Sequence, residues 1–459
     1  MTASVPAVVV GAGISGLVCA YFLNKAGIVT PVLEASPRAG GMIGSERRDG
    51  FLLELGPQSF SGTPALRALC AELGVADQFL EAPSSAPRYV LIDGALKGVP
   101  LNPAAILTSS LLSIRTKWRI ASDALGTTHA PEGDESIAGF VRRKFGAELL
   151  DRLVAPFVSG IYAGDPERLS LRSSFTQVHD AEKSDGSVIR GMRRAAKSRK
   201  GPRERPTLLS FRNGNDTLIR ALSAKLSSRL RLGAEVLGVA LRQEASAAKF
   251  ELRVAQAGNE ETLIAERLLL ATPANVAGVL LRDLDAAFEP VLGGIEYAPV
   301  AVVSLGYRRE DVGHSLEGFG FLAPRSSGLH VLGCVWNSSL FPQRAPAGHV
   351  LLTSFVGGAT DPVAASLPAE DLRALVHREL APLLLIRTAP VFSHSQVYRH
   401  ALPQYNLGHG ERLQALERMR GNVPGLFFVG NYLRGPAIGD CVQLGMKAAE
   451  AIARQSGST

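Results

Sequence analysis

The run Ala7-Val8-Val9-Val10-Gly11-Ala12-Gly13-Ile14-Ser15-Gly16 constrains this chain more than any other ten residues. Its apolar half reads as a short buried strand, and Ile14 to Asn24 as the helix that follows. Between them Gly11 permits a tight turn, Gly13 lets the backbone reach a pyrophosphate, and Gly16 allows close packing of helix on strand. Ala12, Ile14 and Ser15 complete the loop, and the helix N-terminus offers unpaired N–H groups and a partial positive charge. Val29 to Glu34 reads as a second strand, completing a βαβ unit. Glu34 stands 18 residues past Gly16, where a carboxylate accepts ribose hydroxyls. A resident NADP would call for a basic residue there.

Composition bounds the rest. At 459 residues the chain has room for about three domain-sized units. With 46% hydrophobic and 20% charged residues it is globular and not disordered. Four scattered cysteines (Cys19, Cys70, Cys334, Cys441) suit neither a zinc module nor a disulfide framework, and fit a reducing compartment. No metal site is expected. The net charge is 49 minus 42, or +7, and the window Arg190 to Arg205 alone holds eight basic residues against Glu204. The remainder is neutral, unlike a nucleic-acid-binding face. That window is read either as solvated charge or as a contact for anionic lipid or a partner.

The uncharged stretch Gly98 to Ile114 is broken by two prolines and too short to span a bilayer. With Arg115, Lys117, Trp118 and Arg119 at its edge it is either an interfacial segment or a buried helical piece. The glycine loop follows so soon after Met1 that no signal or transit peptide is expected. The expected location is cytoplasmic, with peripheral contact on the inner membrane left open.

Along the chain, Thr63-Pro64 opens a helix on Leu66, Leu69, Cys70 and Leu73 that Gly74 closes. Residues 83–205 read as helix-rich, with Ser136 capping a run through Ile137, Phe140, Val141 and Phe145. Another helix is expected over Asp216 to Ser227. Strand-like runs follow at Leu232–Ala240, Phe250–Val254, Leu263–Ala271, Val300–Tyr307 and Leu329–Phe355. The last 35 residues return to a strand at Leu426–Val429, a glycine turn and a helix through Ala448, Ala449 and Ile452. The order predicts a mixed α/β protein with a Rossmann-like dinucleotide domain built from discontinuous pieces (1–82, 206–290 and 420–459). A helical insert at 83–205, read as membrane-associating, and a β-rich substrate domain with a mixed sheet at 291–419 would complete it.

Further motifs carry a resemblance. Glu34-Ala35-Ser36-Pro37-Arg38-Ala39-Gly40-Gly41-Met42-Ile43-Gly44-Ser45 extends the fingerprint, Leu270-Ala271-Thr272-Pro273 forms a strand-to-turn element, and Phe428-Val429-Gly430-Asn431 precedes Gly439-Asp440-Cys441 at a helix start. In these the chain resembles the flavin-containing amine oxidase superfamily, which implies FAD. The strings Tyr162-Ala163-Gly164-Asp165-Pro166 and Pro403-Gln404-Tyr405-Asn406-Leu407-Gly408-His409 are similar to the protoporphyrinogen oxidase branch. So are Gly56-Pro57-Gln58-Ser59-Phe60 and Gly318-Phe319-Gly320-Phe321-Leu322-Ala323-Pro324. The lysine that amine oxidases keep on a central strand has no counterpart in Pro299-Val300-Ala301-Val302-Val303.

The resemblance implies an apolar tetrapyrrole substrate, non-covalent FAD as hydride acceptor, O2 as electron acceptor and no catalytic side chain. Arg88 would bind a propionate, and Gly160, Phe321, Leu322 and Phe341 would clamp the macrocycle. Flavin contacts would come from Gly41, Met42, the turn Gly56-Pro57-Gln58-Ser59, Thr272, and Pro436-Ala437-Ile438, with Asp440 capping the last helix; Ala35 and the Val236 backbone would lie toward the adenosine. A homodimer is left open. The competing readings are oxidation of coproporphyrinogen III, a carotenoid desaturase-like or amine oxidase activity, and a flavin-binding scaffold without turnover.

Overall fold

The computed structural model describes residues 4–100, 103–106, 108–126, 131–198, 207–243 and 248–456. Five short parallel strands make the sheet onto which the glycine loop opens, in the order Leu230–Leu232, Val32–Glu34, Val8–Val10, Leu268–Leu270, Leu426–Phe428. They come from the start, middle and end of the chain, which is the discontinuous Rossmann-like assembly expected. Both faces are covered at the centre of the sheet, so Val8–Val10 and Leu268–Leu270 are apolar and buried throughout. Val9 packs toward the helices Ile14–Lys25, Pro64–Glu72, Asp216–Leu226 and Ile438–Ser456. Its neighbours Val8 and Val10 point the other way, toward a four-stranded sheet built on Ala234–Gln243, Ala248–Gln256 and Asn259–Ala265.

Two runs that read as single strands are each split between these sheets. The run 232–240 breaks at Gly233, whose φ of +65° turns the chain out of the parallel sheet. The run 263–271 breaks at Glu266 and Arg267, whose backbone bonds Val5 and Val8 while the strand changes partners. In the second run hydrophobic pattern alone does not see the break, because both halves are buried.

A seven-stranded mixed sheet forms the other half: Phe392–Pro403, Tyr297–Arg308, His349–Gly357, Val331–Trp336, Gly320–Leu322, Arg88–Ile92 and Ala95–Val99. Here the helix-rich reading of 83–205 is corrected. Arg88–Ile92 and Ala95–Val99 are a hairpin closed by Asp93-Gly94, with φ of +53° and +76°, the two-residue turn that favours Asp-Gly. The hairpin extends the sheet through a parallel pairing with Gly320–Leu322.

The helices that follow include Ile114–Asp123, Ile137–Lys144, Ala155–Tyr162, Thr176–Asp185 and Val188–Ser198. Ser136 Oγ accepts from Gly139 N at 3.0 Å, the expected cap, and Thr63 caps Pro64–Glu72 in the same way. Buried charges tie the helices together, with Lys144 Nζ 2.8 Å from Asp123 and 3.3 Å from Glu182. Among the described residues no helix is long and apolar enough to cross a membrane. Leu111 and Leu112 of the apolar stretch are buried against Val90 and Ile92, while Ile114, Trp118 and Leu125 are exposed. Leu101, Asn102 and Leu107, and residues 199–206 of the basic run, lie outside the described residues.

Candidate functional site

Around the first helix the geometry follows from three glycines. A Cβ on Gly16 would stand 2.1 Å from Gly11 O, so the helix meets the strand only because none is there. Gly11 has φ of +103° and lies against Ala271. Gly13 has no atom within 4 Å of where its Cβ would be, which leaves open space above the loop. Gly13 is the extended N-cap of Ile14–Lys25, with no capping side chain and no acid in the first turn. The first N–H groups of that helix therefore have no intrahelical acceptor and face the space that an anion would fill. Gly41 borders the same space, its missing Cβ 3.7 Å from Gly13 Cα.

Glu34 already holds the loop. Its Oε2 accepts from Ala12 N at 2.7 Å, and its Oε1 from Ser36 N at 2.9 Å and Ser36 Oγ at 2.6 Å. The carboxylate thus shapes the glycine loop and keeps one acceptor position, on Oε2, free for a ribose hydroxyl. Arg38, quoted in the motif without a role, donates to Gly41 O at 2.6 Å and Ile43 O at 3.1 Å and so fixes the second glycine turn. On the far strand a β-bulge falls between Val236 and Gly238, freeing backbone groups next to Val236 that a regular ladder would consume.

The helix Ile438–Ser456 packs along Ile14–Lys25, where a Cβ on Gly445 would come 2.6 Å from Ser15 O. Asp440 does not cap it. Ala437 holds that place, its carbonyl accepting from Asp440 N at 3.0 Å and Cys441 N at 3.1 Å, and Asp440 lies in the first turn. Ala437 is exposed and Pro436 half-buried, so this turn presents backbone to the same space. Thr272 Oγ1 is buried without a hydrogen-bond partner among the described residues. An open glycine cradle, an uncapped helix end and an orphaned hydroxyl together fit a dinucleotide.

The turn at 56–59 lies beside Met42: a Cβ on Gly56 would be 2.2 Å from Met42 O. Met42 in turn packs with Ala163, Val300, Leu332, Phe355 and Tyr398, an apolar patch on one face of the seven-stranded sheet. Burial pushes the Tyr398 hydroxyl pKa up against the pull of the neighbouring Arg38 guanidinium. Val300 stands on this floor, on a strand, Tyr297–Arg308, that carries no lysine.

Sheet register sorts the proposed clamp. Arg88 is opposite Gly320 and Val90 opposite Leu322, so Arg88 and Leu322 share one face of the sheet. Gly160 is on that side too, its missing Cβ 2.6 Å from Leu322 Cδ2. Arg88 is exposed, 5.4 Å over the Phe319 ring, and among the described residues has no carboxylate partner. Phe321 points to the opposite face, into the core with Trp336 and Val356. Phe341 is wholly buried under Arg344. Both phenylalanines are thus buried, Phe321 on the opposite face and Phe341 against Phe319 and Val335, because alternation along a strand and at a helix end is blind to which face is wet.

The string 403–409 has a structural explanation. Gln404 Nε2 donates to Tyr162 O at 2.9 Å, Tyr405 OH donates to Asn431 O, and His409 Nε2 meets Tyr432 O at 3.0 Å. Tyr405 and His409 stack 4.6 Å apart. Together they bolt the helical insert to the turn preceding the last helix. Burial drives His409 down to about 4, so the ring is neutral and donates.

Sequence reading missed one cluster, the buried ion pair Glu54–Arg344 at 2.8 Å. Burial pushes Glu54 up to about 7 against the pull of Arg344, Ser45 and the Asn215 N–H. The only signal was Glu54 at an otherwise apolar strand leading into Gly56.

Residues 14–453 match the family described as Flavin containing amine oxidoreductase. Protoporphyrinogen oxidase of the chloroplast from Nicotiana tabacum is 36% identical over 463 residues, covering 96% of this chain and 84% of the relative. Coproporphyrinogen III oxidase from Bacillus subtilis (strain 168) is 29% identical over 462 residues, covering 96% of each. A crystal structure from Exiguobacterium sp. 255-15, provisionally assigned as a protoporphyrinogen oxidase, superposes with a TM-score of 0.81 at 26% identity, covering 99% of this chain and 100% of that one.

Proposed function

This chain belongs to the flavin containing amine oxidoreductase family and is an FAD-dependent oxidoreductase, and we propose that it oxidises protoporphyrinogen IX to protoporphyrin IX with O2 as electron acceptor. The observation that carries the reading is the shared face of Arg88, Leu322 and Gly160, which sets an exposed cation without a carboxylate partner among the described residues beside an apolar side chain and bare backbone. A porphyrinogen presents that combination, an apolar macrocycle with propionate arms. Arg88 suits a carboxylate because its planar fork pairs bidentately. Its relatives in plants and bacteria carry the names of porphyrinogen oxidases.

FAD, when bound, supplies the hydride acceptor and the outlet to oxygen. The chain's own work is placement. The open glycine loop and the first turns of Ile14–Lys25 and Ile438–Ser456 would hold the nucleotide, with Glu34 on the ribose. Met42, Val300 and Tyr398 would form a dry floor under the reacting carbon, and Arg88 would set the macrocycle's orientation. Three successive dehydrogenations of the same ring require it to be turned or rebound between rounds, which an apolar floor without directional hydrogen bonds permits.

Oxidation of coproporphyrinogen III is the second reading, favoured by the bacterial relatives. Its four carboxylates call for more cations than Arg88 provides on this face. The deciding experiment is anaerobic mixing of the flavin-loaded protein with each porphyrinogen, following loss of the oxidised-flavin band. Bleaching by protoporphyrinogen alone, then porphyrin fluorescence and H2O2 on admitting air, is the expected result. Bleaching by coproporphyrinogen alone selects the second reading, and no bleaching of a chemically reducible flavin overturns both.

The proposal extends to a peripheral contact with anionic membrane. Exposed Ile114, Trp118 and Leu125 stand beside exposed Arg115 and Arg119, and Arg193, Arg194 and Lys197 are exposed on Val188–Ser198. Since Trp336 is buried, Trp118 reports the contact: its emission should shift to the blue on adding anionic vesicles. An unshifted spectrum, with protein left in the supernatant after pelleting the vesicles, overturns this part.

A further inference from the structure

The Gly56–Ser59 turn is pinned by polar side chains from three distant parts of the chain, all converging on one buried ion pair. Glu54 and Arg344 are 2% and 1% exposed, with Arg344 Nη1 2.8 Å from Glu54 Oε1. Ser45 Oγ donates to Glu54 Oε2 at 2.5 Å, and Asn215 N reaches both carboxylate oxygens at 3.0 and 3.1 Å. From there the network runs to the turn by two routes. Asn215 Nδ2 donates to Pro57 O at 2.8 Å. Gln58 Nε2 donates to Glu54 O at 3.1 Å and Gly56 O at 2.8 Å, and its Oε1 accepts from Asn337 Nδ2 at 2.7 Å. Arg344 closes the ring through Ser210 Oγ, which donates to Asn215 Oδ1 at 2.8 Å, and its guanidinium sits 5.6 Å over Phe341.

A turn needs no buried charge to fold. Two ions taken out of water are stabilising only when their geometry and further hydrogen bonds offset desolvation, and an apolar pair of the same volume often serves stability better. What such a network does supply is a single geometry for the backbone it holds. The held backbone is the one whose Gly56 abuts Met42, which borders the apolar floor and follows the Gly41 that edges the dinucleotide space.

We propose that Glu54 and Arg344 are positioning residues, fixing the Gly56–Ser59 turn through Asn215, Gln58 and Asn337 so that its backbone meets the flavin ring at one place. The inference rests on FAD being the resident cofactor. Neither residue touches the cofactor itself; they act through the turn. It also gives Phe341 a different role from a substrate clamp, as the face on which the Arg344 guanidinium lies.

The test compares the flavin-loaded wild type with E54Q/R344M, which removes both charges together, and with E54D. The double variant should keep the wild-type circular dichroism and a cooperative melt, while releasing FAD roughly tenfold faster, the loss of about one hydrogen bond to a charged group. Its visible flavin band and reduction potential should both shift, and E54D should fall between it and the wild type. Asn337→Leu cuts one link only and should move release and spectrum in the same direction by less. Wild-type release, band shape and potential in a folded double variant overturn the inference. If the double variant fails to fold, unchanged release and spectrum in Asn337→Leu overturn it instead. A wild-type protein that binds no FAD overturns the cofactor assignment, and the inference with it.

Discussion

The dinucleotide half and the substrate half of this protein are built on opposite logics. In the first, the working atoms are backbone N–H groups, and the side chains matter mostly by their absence: Gly11, Gly13 and Gly16 act through what a Cβ would strike or leave open. In the second, the working atoms we propose are side chains brought to one face by strand register. Arg88 and Leu322 are 234 residues apart in sequence and share a face through the pairing of Arg88 with Gly320. Backbone function leaves a compact sequence signature because it needs special conformations at fixed offsets. Side-chain function on a sheet face leaves almost none.

The sharpest way to break this contrast is Gly16→Val. Its Cβ would meet a carbonyl at 2.1 Å, a backbone atom that cannot step aside. A loss on the order of 3–4 kcal/mol is expected, with flavin-free protein, as seen by thermal melting and visible absorbance. A stable, yellow variant would refute the backbone account of that half.

Next in size is the response to acid, which tests whether the 403–409 string is scaffold. The His409 pKa is held near 4 when folded and returns to about 6.5 when unfolded, so the unfolded chain binds the extra proton. Its stabilisation is complete above pH 6.5 and is lost as pH falls toward 4, about 3 kcal/mol in all. Urea unfolding at pH 7 and pH 4.5 should show that slope in the wild type and a reduced one in His409→Gln. Equal slopes would remove the histidine from the scaffold.

Smaller effects sharpen the substrate half. Gly160→Leu pushes against Leu322 Cδ2, the flexible end of a side chain, so stability should fall by only about 1 kcal/mol while KM for the porphyrinogen rises. A KM unchanged in a folded variant would place the ring elsewhere. Arg88→Ala should leave stability within about 0.5 kcal/mol and raise KM roughly tenfold at constant kcat, the mark of uniform binding. A fall in kcat with KM constant would instead place Arg88 at the transition state.

The same contrast explains what could be read without coordinates. The loop, its helix, the acid at Glu34, the caps at Thr63 and Ser136, and the return of the chain to the parallel sheet at Leu426 were legible, since each rests on local conformational preference or local periodicity. The Asp93-Gly94 hairpin carried a local signal as well, and was masked by the helical pattern around it. The splitting of two strand runs between sheets, the burial of Phe321 and Phe341 in separate cores, and the placing of Ala437 at the helix cap in place of Asp440 were not legible. Neither was the convergence of Glu54, Asn215, Asn337 and Arg344 under one turn. By itself the sequence determined where the backbone must be bare and where helices and strands begin. Only the tertiary structure decided which face of each strand is dry and which distant charges meet, because hydrophobicity records that a residue is buried but not against what.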